Sequence, residues 1–201
     1  MTITKIISAM TGALIAVGLI AGVQSGERVY AQDAPILYQP NPDSPIGKRN
    51  AKAPAATGEF DFVIGDWDAV ITWTPPGGQS QTYSAKWHNH WIVDGFVVMQ
   101  EWRGPYLTGA EIRAYNPSLK QWVGQNIYVG GQWKRTTAIF EDGMMKVIIE
   151  AGEDKRGTFL NRETYYDIEK EAFKMKSDRS YDEGKTWEQG RYSMVVTRAH
   201  D

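Results

Sequence analysis

Phe60-Asp61-Phe62-Val63-Ile64-Gly65-Asp66-Trp67-Asp68-Ala69-Val70 is the stretch whose reading decides the fold. Phe60, Phe62 and Ile64 make an apolar closing segment, and Gly65 lets the chain bend sharply. From Trp67 the apolar residues fall at every second position, through Ala69, Ile71 and Trp73, which is the repeat of a pleated strand with one buried face. The stretch reads as the entry into the first strand of a β-barrel.

Downstream, turn signals recur at short intervals: Pro75-Pro76-Gly77-Gly78, Asp94-Gly95, Asn116-Pro117, Gly130-Gly131, Asp142-Gly143 and Asp182-Glu183-Gly184. They bound ten strand-like runs, at 67–74, 81–93, 96–103, 108–115, 121–128, 132–140, 144–151, 158–166, 172–179 and 187–198. Beyond Pro76 only Pro105 and Pro117 occur, both between runs. No run has a helical period and no connection is long enough for a crossover, so neighbouring strands pair antiparallel. The expected fold class is all-β: an antiparallel up-and-down barrel of about ten strands, closed to leave no edge, with an extended N-terminal segment and room for a ligand.

Upstream, residues 1–31 read as a signal peptide, with Lys5, an uncharged apolar run from Ile6 to Ile20, and Val29-Tyr30-Ala31 at the cleavage position. Export to the periplasm or the exterior is expected, with no stable membrane span after cleavage; an uncleaved anchor is the alternative. Residues 32–58 carry five prolines without an apolar period and read as a linker or strap, on which Ile36-Leu37-Tyr38 could close the barrel mouth. The barrel is assigned to residues 59–201.

The 201 residues carry a formal charge of −2 and no cysteine, with 8 Trp and 10 Tyr. Scattered Lys and Arg argue against a nucleic-acid partner. Disulfides and thiolate metal or nucleophile chemistry are excluded. The aromatics supply core and strand, and also the walls of a site for a small hydrophobic or aromatic ligand.

A two-residue turn at Asp94-Gly95 sets a register in which Val93 faces Phe96, Trp91 faces Val98, Asn89 faces Gln100 and Trp87 faces Trp102. That face, aromatic with a central amide pair, is taken as the inside. His88 opposite Glu101, His90 opposite Met99 and Lys86 opposite Arg103 then lie outside. The same alternation groups Trp122 with Asn126 and Tyr128, Trp133 with Arg135, Glu163 with Tyr165, and Phe173 and Met175 with Arg179. Arg135 and Arg179 are candidate inward cations.

His88 and His90 point the same way from one strand, with Glu101 across the ladder, a spacing that can chelate a metal. The third histidine, His200, lies near the end of the chain, and the register puts the pair outside, so neither metal nor cofactor is expected. The His88–Glu101 couple could alternatively serve as general acid and base, which requires the opposite face assignment. Glycine pairs sit in hairpins, not phosphate loops, and no nucleophile elbow occurs.

The motif at Phe60–Asp68, with Trp91-Ile92-Val93-Asp94-Gly95, Gly109 to Pro117, Trp122 and Ser180 to Trp187, resembles a bacterial family of secreted calycin-like barrels, akin to lipocalins and nitrobindins, of uncharacterised function. The resemblance spans Phe60 to Arg198. It implies that an arginine of the last strand, Arg198 or its rival Arg191, stacks on Trp67 of Gly65-Asp66-Trp67. Nitrobindin-like haem binding calls for a histidine late in the barrel, where this chain offers only His200, beyond the last run. The expected function is binding of a small aromatic or amphipathic molecule by Trp87, Asn89, Trp91, Gln100, Trp102, Trp122, Asn126, Tyr128, Arg135, Glu163, Tyr165 and Arg179. The alternative is a cofactor-independent isomerase, cyclase or lyase using Glu163, Tyr165 and Arg179.

Overall fold

A computed structural model describes residues 46–75 and 77–200. The signal peptide and the Ile36-Leu37-Tyr38 cluster lie outside these residues. Among those described, no helix is long and apolar enough to cross a membrane.

Ten strands form one closed antiparallel barrel: β1 (Gly65–Trp73), β2 (Gln81–Ile92), β3 (Val97–Arg103), β4 (Thr108–Asn116), β5 (Gln121–Tyr128), β6 (Gln132–Glu141), β7 (Met144–Asp154), β8 (Gly157–Tyr166), β9 (Ala172–Ser180) and β10 (Glu188–Arg198). Each strand pairs with its sequence neighbours, and β1 closes on β10 with Trp67 opposite Arg198. Closure leaves no unpaired edge to template aggregation. The ladder shifts between Gln189 and Ser193 and between Ile149 and Gly152, irregularities that bend a sheet and help it close.

The β2–β3 register is the one expected, from Lys86 opposite Arg103 to Trp91 opposite Val98. At the turn itself Asp94 and Gly95 take φ of 51° and 82°, and the Phe96 amide donates to the Val93 carbonyl at 3.1 Å. Val93 also has positive φ, so the chain leaves the sheet early and both Val93 and Phe96 are exposed rather than inward.

A 3-10 helix, Ala55–Val63, crosses the end of the barrel from which β1 starts. Phe60 and Val63 are fully buried; Phe60 meets the Trp122 ring edge-on at 4.7 Å, and Phe62 does the same to Phe173 at 5.3 Å. Burying a side chain such as Phe60 stabilises by about 2–3 kcal/mol. Ahead of the helix, the Ile46 carbonyl accepts from the Trp91 amide at 2.7 Å and the Asn50 amide donates to the Gly95 carbonyl at 3.0 Å. This segment therefore runs beside β2 and leads into a plug. The plug covers one end of the barrel, and the opposite end is formed by Trp73, Gln81, Arg103, Tyr128, Asp154 and Arg179.

Candidate functional site

Along each strand, alternate side chains enter the barrel. At the plugged end Trp67, Trp91, Val98, Trp122, Met145, Phe173 and Val196 form the apolar core. Asn89 donates from Nδ2 to the Val63 carbonyl at 2.8 Å and Trp122 Nε1 donates to Glu59 at 3.1 Å. Asn89 and Trp122 thus bond to the plug, and Trp91 is buried in the core beside them.

One layer further in, the wall turns polar. Gln100, Glu111 and Asn126 stand in register on β3, β4 and β5. Arg113 is 1 % exposed, and its Nη1 donates to both Glu111 and Gln100. It fits because β5 offers Gly124 beneath it: a Cβ there would lie 2.8 Å from Arg113 Cγ and 2.4 Å from the Ile112 carbonyl oxygen. Across the barrel, Glu163 accepts hydrogen bonds from the hydroxyls of Tyr192 and, at 3.5 Å, Tyr165. Asn126 Nδ2 donates to the Tyr128 hydroxyl at 3.1 Å.

The electrostatics follow from burial. Desolvation, and secondarily the Glu111 charge, pushes the Glu163 carboxyl up to about 7 despite its tyrosine donors. Tyr165 and Tyr192 are raised by burial and by Glu163. Burial opposes the Arg113 charge, yet Glu111, with Tyr165 and Glu163, together more than offset it and the guanidinium is held more firmly protonated than usual. Several polar atoms of the inner face make no hydrogen bond to another protein group: Nε and Nη2 of Arg113, Nε2 of Gln100, and Nε1 of Trp87 and Trp102, with Asn126 Oδ1 as an acceptor.

No protein-family model and no curated protein matches the chain. Among solved structures, the crystal structure of Rv2717c from M. tuberculosis is similar at a TM-score of 0.47 and 8% identity, covering 74% of this chain and 99% of that one.

Trp87, Gln100, Asn126, Tyr128, Glu163 and Tyr165 meet in the interior as the alternation requires. Trp102 stands edge-on to Trp87 at 5.6 Å, on the side away from the plug. Two expectations need correction. Arg135 is exposed on the outer wall, because pairing of Trp122 with Ala138 turns the even-numbered residues of β6 inward. Arg179 does lie on the inner face, but at the end away from the plug. It donates to Asn161 at 3.1 Å and to Asp154 at 3.0 Å, and stacks on Phe159 at 3.7 Å. The arginine in the charged cluster with Glu163 is Arg113, so Arg179 does not complete an acid–base set with Glu163 and Tyr165.

Arg113, Glu111 and Tyr192 escaped the sequence reading. Carrying the β2–β3 register across the Gly104–Leu107 turn, where the Gly104 amide donates to Leu107 at 2.9 Å, would have placed Glu111 opposite Gln100. Two surface hollows, one around Asp142, Thr164 and Lys176 and one around Ile168, Lys174 and Val195, lie on the outer wall near the plugged end, away from this cluster.

His88, His90 and Glu101 form a second group, on the outer face as expected. They are not an exposed pair: His88 is fully buried and His90 is 8 % exposed. The couple His88–Glu101 is therefore not part of the interior site. Burial, then the neighbouring His88, lowers the His90 pKa.

Proposed function

We propose that the barrel binds a small aromatic or amphipathic molecule carrying a hydrogen-bond acceptor such as a carboxylate or carbonyl, admitted through the end opposite the Ala55–Val63 plug. The observation that carries this reading is the set of unpartnered inward donors on Arg113, Gln100, Trp87 and Trp102. Buried donors without partners cost about 1–3 kcal/mol each, and a ligand acceptor would recover that cost. Trp87, Trp102 and Tyr128 supply flat apolar walls beside them, the usual composition of a small-molecule site.

The reading extends to a calycin-like carrier exported to the periplasm or beyond, resting on Lys5 and the apolar run Ile6–Ile20. Fractionation of cells expressing the full chain checks the export.

Binding is tested by titrating tryptophan fluorescence with a panel of aromatic carboxylates, ketones and amines. Saturable quenching by acceptor-bearing compounds, weakened at least tenfold by Gln100→Leu or Trp102→Leu, is the expected result. No saturable response from any compound, together with an interior filled by side chains in a crystal structure, would remove the proposal.

A second reading has its own support. Glu163, poised near neutrality between two tyrosine hydroxyls, has the proton affinity of a general base or acid working at pH 7. An isomerase or lyase would use Glu163 to move a proton and Arg113 to stabilise the developing anion. Turnover abolished by Glu163→Gln while binding persists would distinguish this from simple carriage.

A further inference from the structure

We infer that His88, His90 and Glu101 form a divalent metal site on the outer wall, one suited to a Zn2+-class ion and separate from the interior site. A ligating atom from each residue lies within 4.8 Å of the others, close enough for small side-chain rotations to bring all three onto one ion. The three stand on paired strands of one ladder. Asp66 of β1 faces His88 of β2, which faces Glu101 of β3, and His90 follows two residues on from His88. A site on adjacent strands is fixed in spacing before any ion arrives.

The hydrogen bonds around the two imidazoles support a metal over a purely structural pair. Asp66 Oδ1 sits 2.6 Å from His88 Nδ1. A carboxylate accepts, so Nδ1 carries the proton, and in the neutral ring that a metal ion requires Nε2 presents its lone pair. This is the carboxylate–histidine–metal arrangement, in which an outer carboxylate orients the ring and raises its basicity. His88 Nε2 and His90 Nδ1 are buried and have no protein partner. Two orphaned imidazole nitrogens together are costly, and one ion would satisfy both. Arg103 Nη2 touches Glu101 Oε1 at a long 3.3 Å, steadying the carboxylate while the other oxygen remains for the ion.

Two imidazoles and one carboxylate are borderline ligands that favour Zn2+ and similar transition ions over Ca2+ or Mg2+. Three protein ligands leave a fourth position for water. Asp66, touching His88 rather than the ion, is a positioning residue.

The test uses tag-free, chelator-stripped protein titrated with Co2+, followed by displacement with Zn2+. The expected result is saturation at one equivalent with the intense visible bands of four- or five-coordinate Co2+, lost on adding Zn2+. His88→Gln and His90→Gln each weaken binding at least 100-fold, whereas Asp66→Asn keeps the bands and weakens binding about 10–100-fold. Weak octahedral bands only, or a full spectrum persisting in the His88→Gln/His90→Gln double variant, would overturn the proposal. Because a histidine variant could misfold, Glu101→Gln and imidazole nitrogen NMR of the unaltered protein with Zn2+ provide a second readout. Shifts confined to His200, or no shifts, would also overturn it.

Discussion

The Arg198 guanidinium lies 3.7 Å over the Trp67 ring and donates to the Ile64 carbonyl at 2.8 Å, so one side chain ties the last strand to the first and to the plug. Trp67 in turn donates from Nε1 to the Val63 carbonyl at 2.6 Å. Arg198→Met should destabilise by about 2–4 kcal/mol, from the lost cation–π contact and the carbonyls left unmet. Gly65→Ala should do as much: its Cβ would fall 2.1 Å from Arg198 Nη1 at a φ of +126°. Urea unfolding of both variants measures this.

Phe60 is wedged between the Phe62 and Trp122 rings. Phe60→Ala should cost about 3–5 kcal/mol, the range for emptying a buried aromatic site. A thermal melt, with near-UV circular dichroism reporting the tryptophans nearby, decides it.

Glu163 is held at about 7 in the folded chain against an ordinary 4.5. Between those values the folded state keeps a proton that the unfolded chain has released, so its stabilising effect, complete below 4.5, is lost as pH rises through about 7. The loss should be on the order of 3 kcal/mol. Glu163→Gln, which keeps an acceptor for Tyr192, should flatten this dependence and be the more stable protein at pH 8. Melting temperatures at pH 5 and pH 8 for both proteins test the sign.

Arg113 and Glu111 form a pair in which the arginine is wholly enclosed. Arg113→Met should therefore destabilise by about 3–5 kcal/mol by stranding Glu111, while Arg113→Met combined with Glu111→Gln recovers much of that loss. A double-mutant cycle in urea gives the coupling. By contrast Arg135→Ala, on the exposed wall, should change stability by no more than about 0.5 kcal/mol.

These contrasts show what was legible in the sequence and why. The β2–β3 register could be read because Asp94-Gly95 defines a turn, and a turn fixes every pair behind it. The closure by Arg198 was one of two pairings with Trp67 that the family resemblance implied, Arg191 being the other. The faces of β6 and β4 were harder. On β6, Trp133 and Ile139 face out while Thr136 and Ala138 face in, since Trp122 and Arg113 already occupy the interior opposite them. On β4, Ile112 faces outward and Glu111 and Arg113 inward. Hydrophobic alternation points the wrong way wherever a barrel encloses polar groups, and only register carried from a neighbouring strand corrects it. The closing role of Phe60 and Phe62 was legible, but the helical form of the plug was not, because Ala55–Val63 is too short and irregular to show a helical period.

The seam between β1 and β10 has a kinetic meaning as well. Trp67 pairs with Arg198, so the ladder that shuts the barrel joins residues separated by nearly the whole folded domain. Long-range pairing of this kind is slow to form. Nine hairpin pairings can assemble in order as the chain emerges, but the tie from Arg198 to Trp67 and the Ile64 carbonyl cannot form until the final strand arrives. Every nascent chain therefore passes through an open sheet with two bare edges, and the protein becomes safe from edge-to-edge association only in its last folding step.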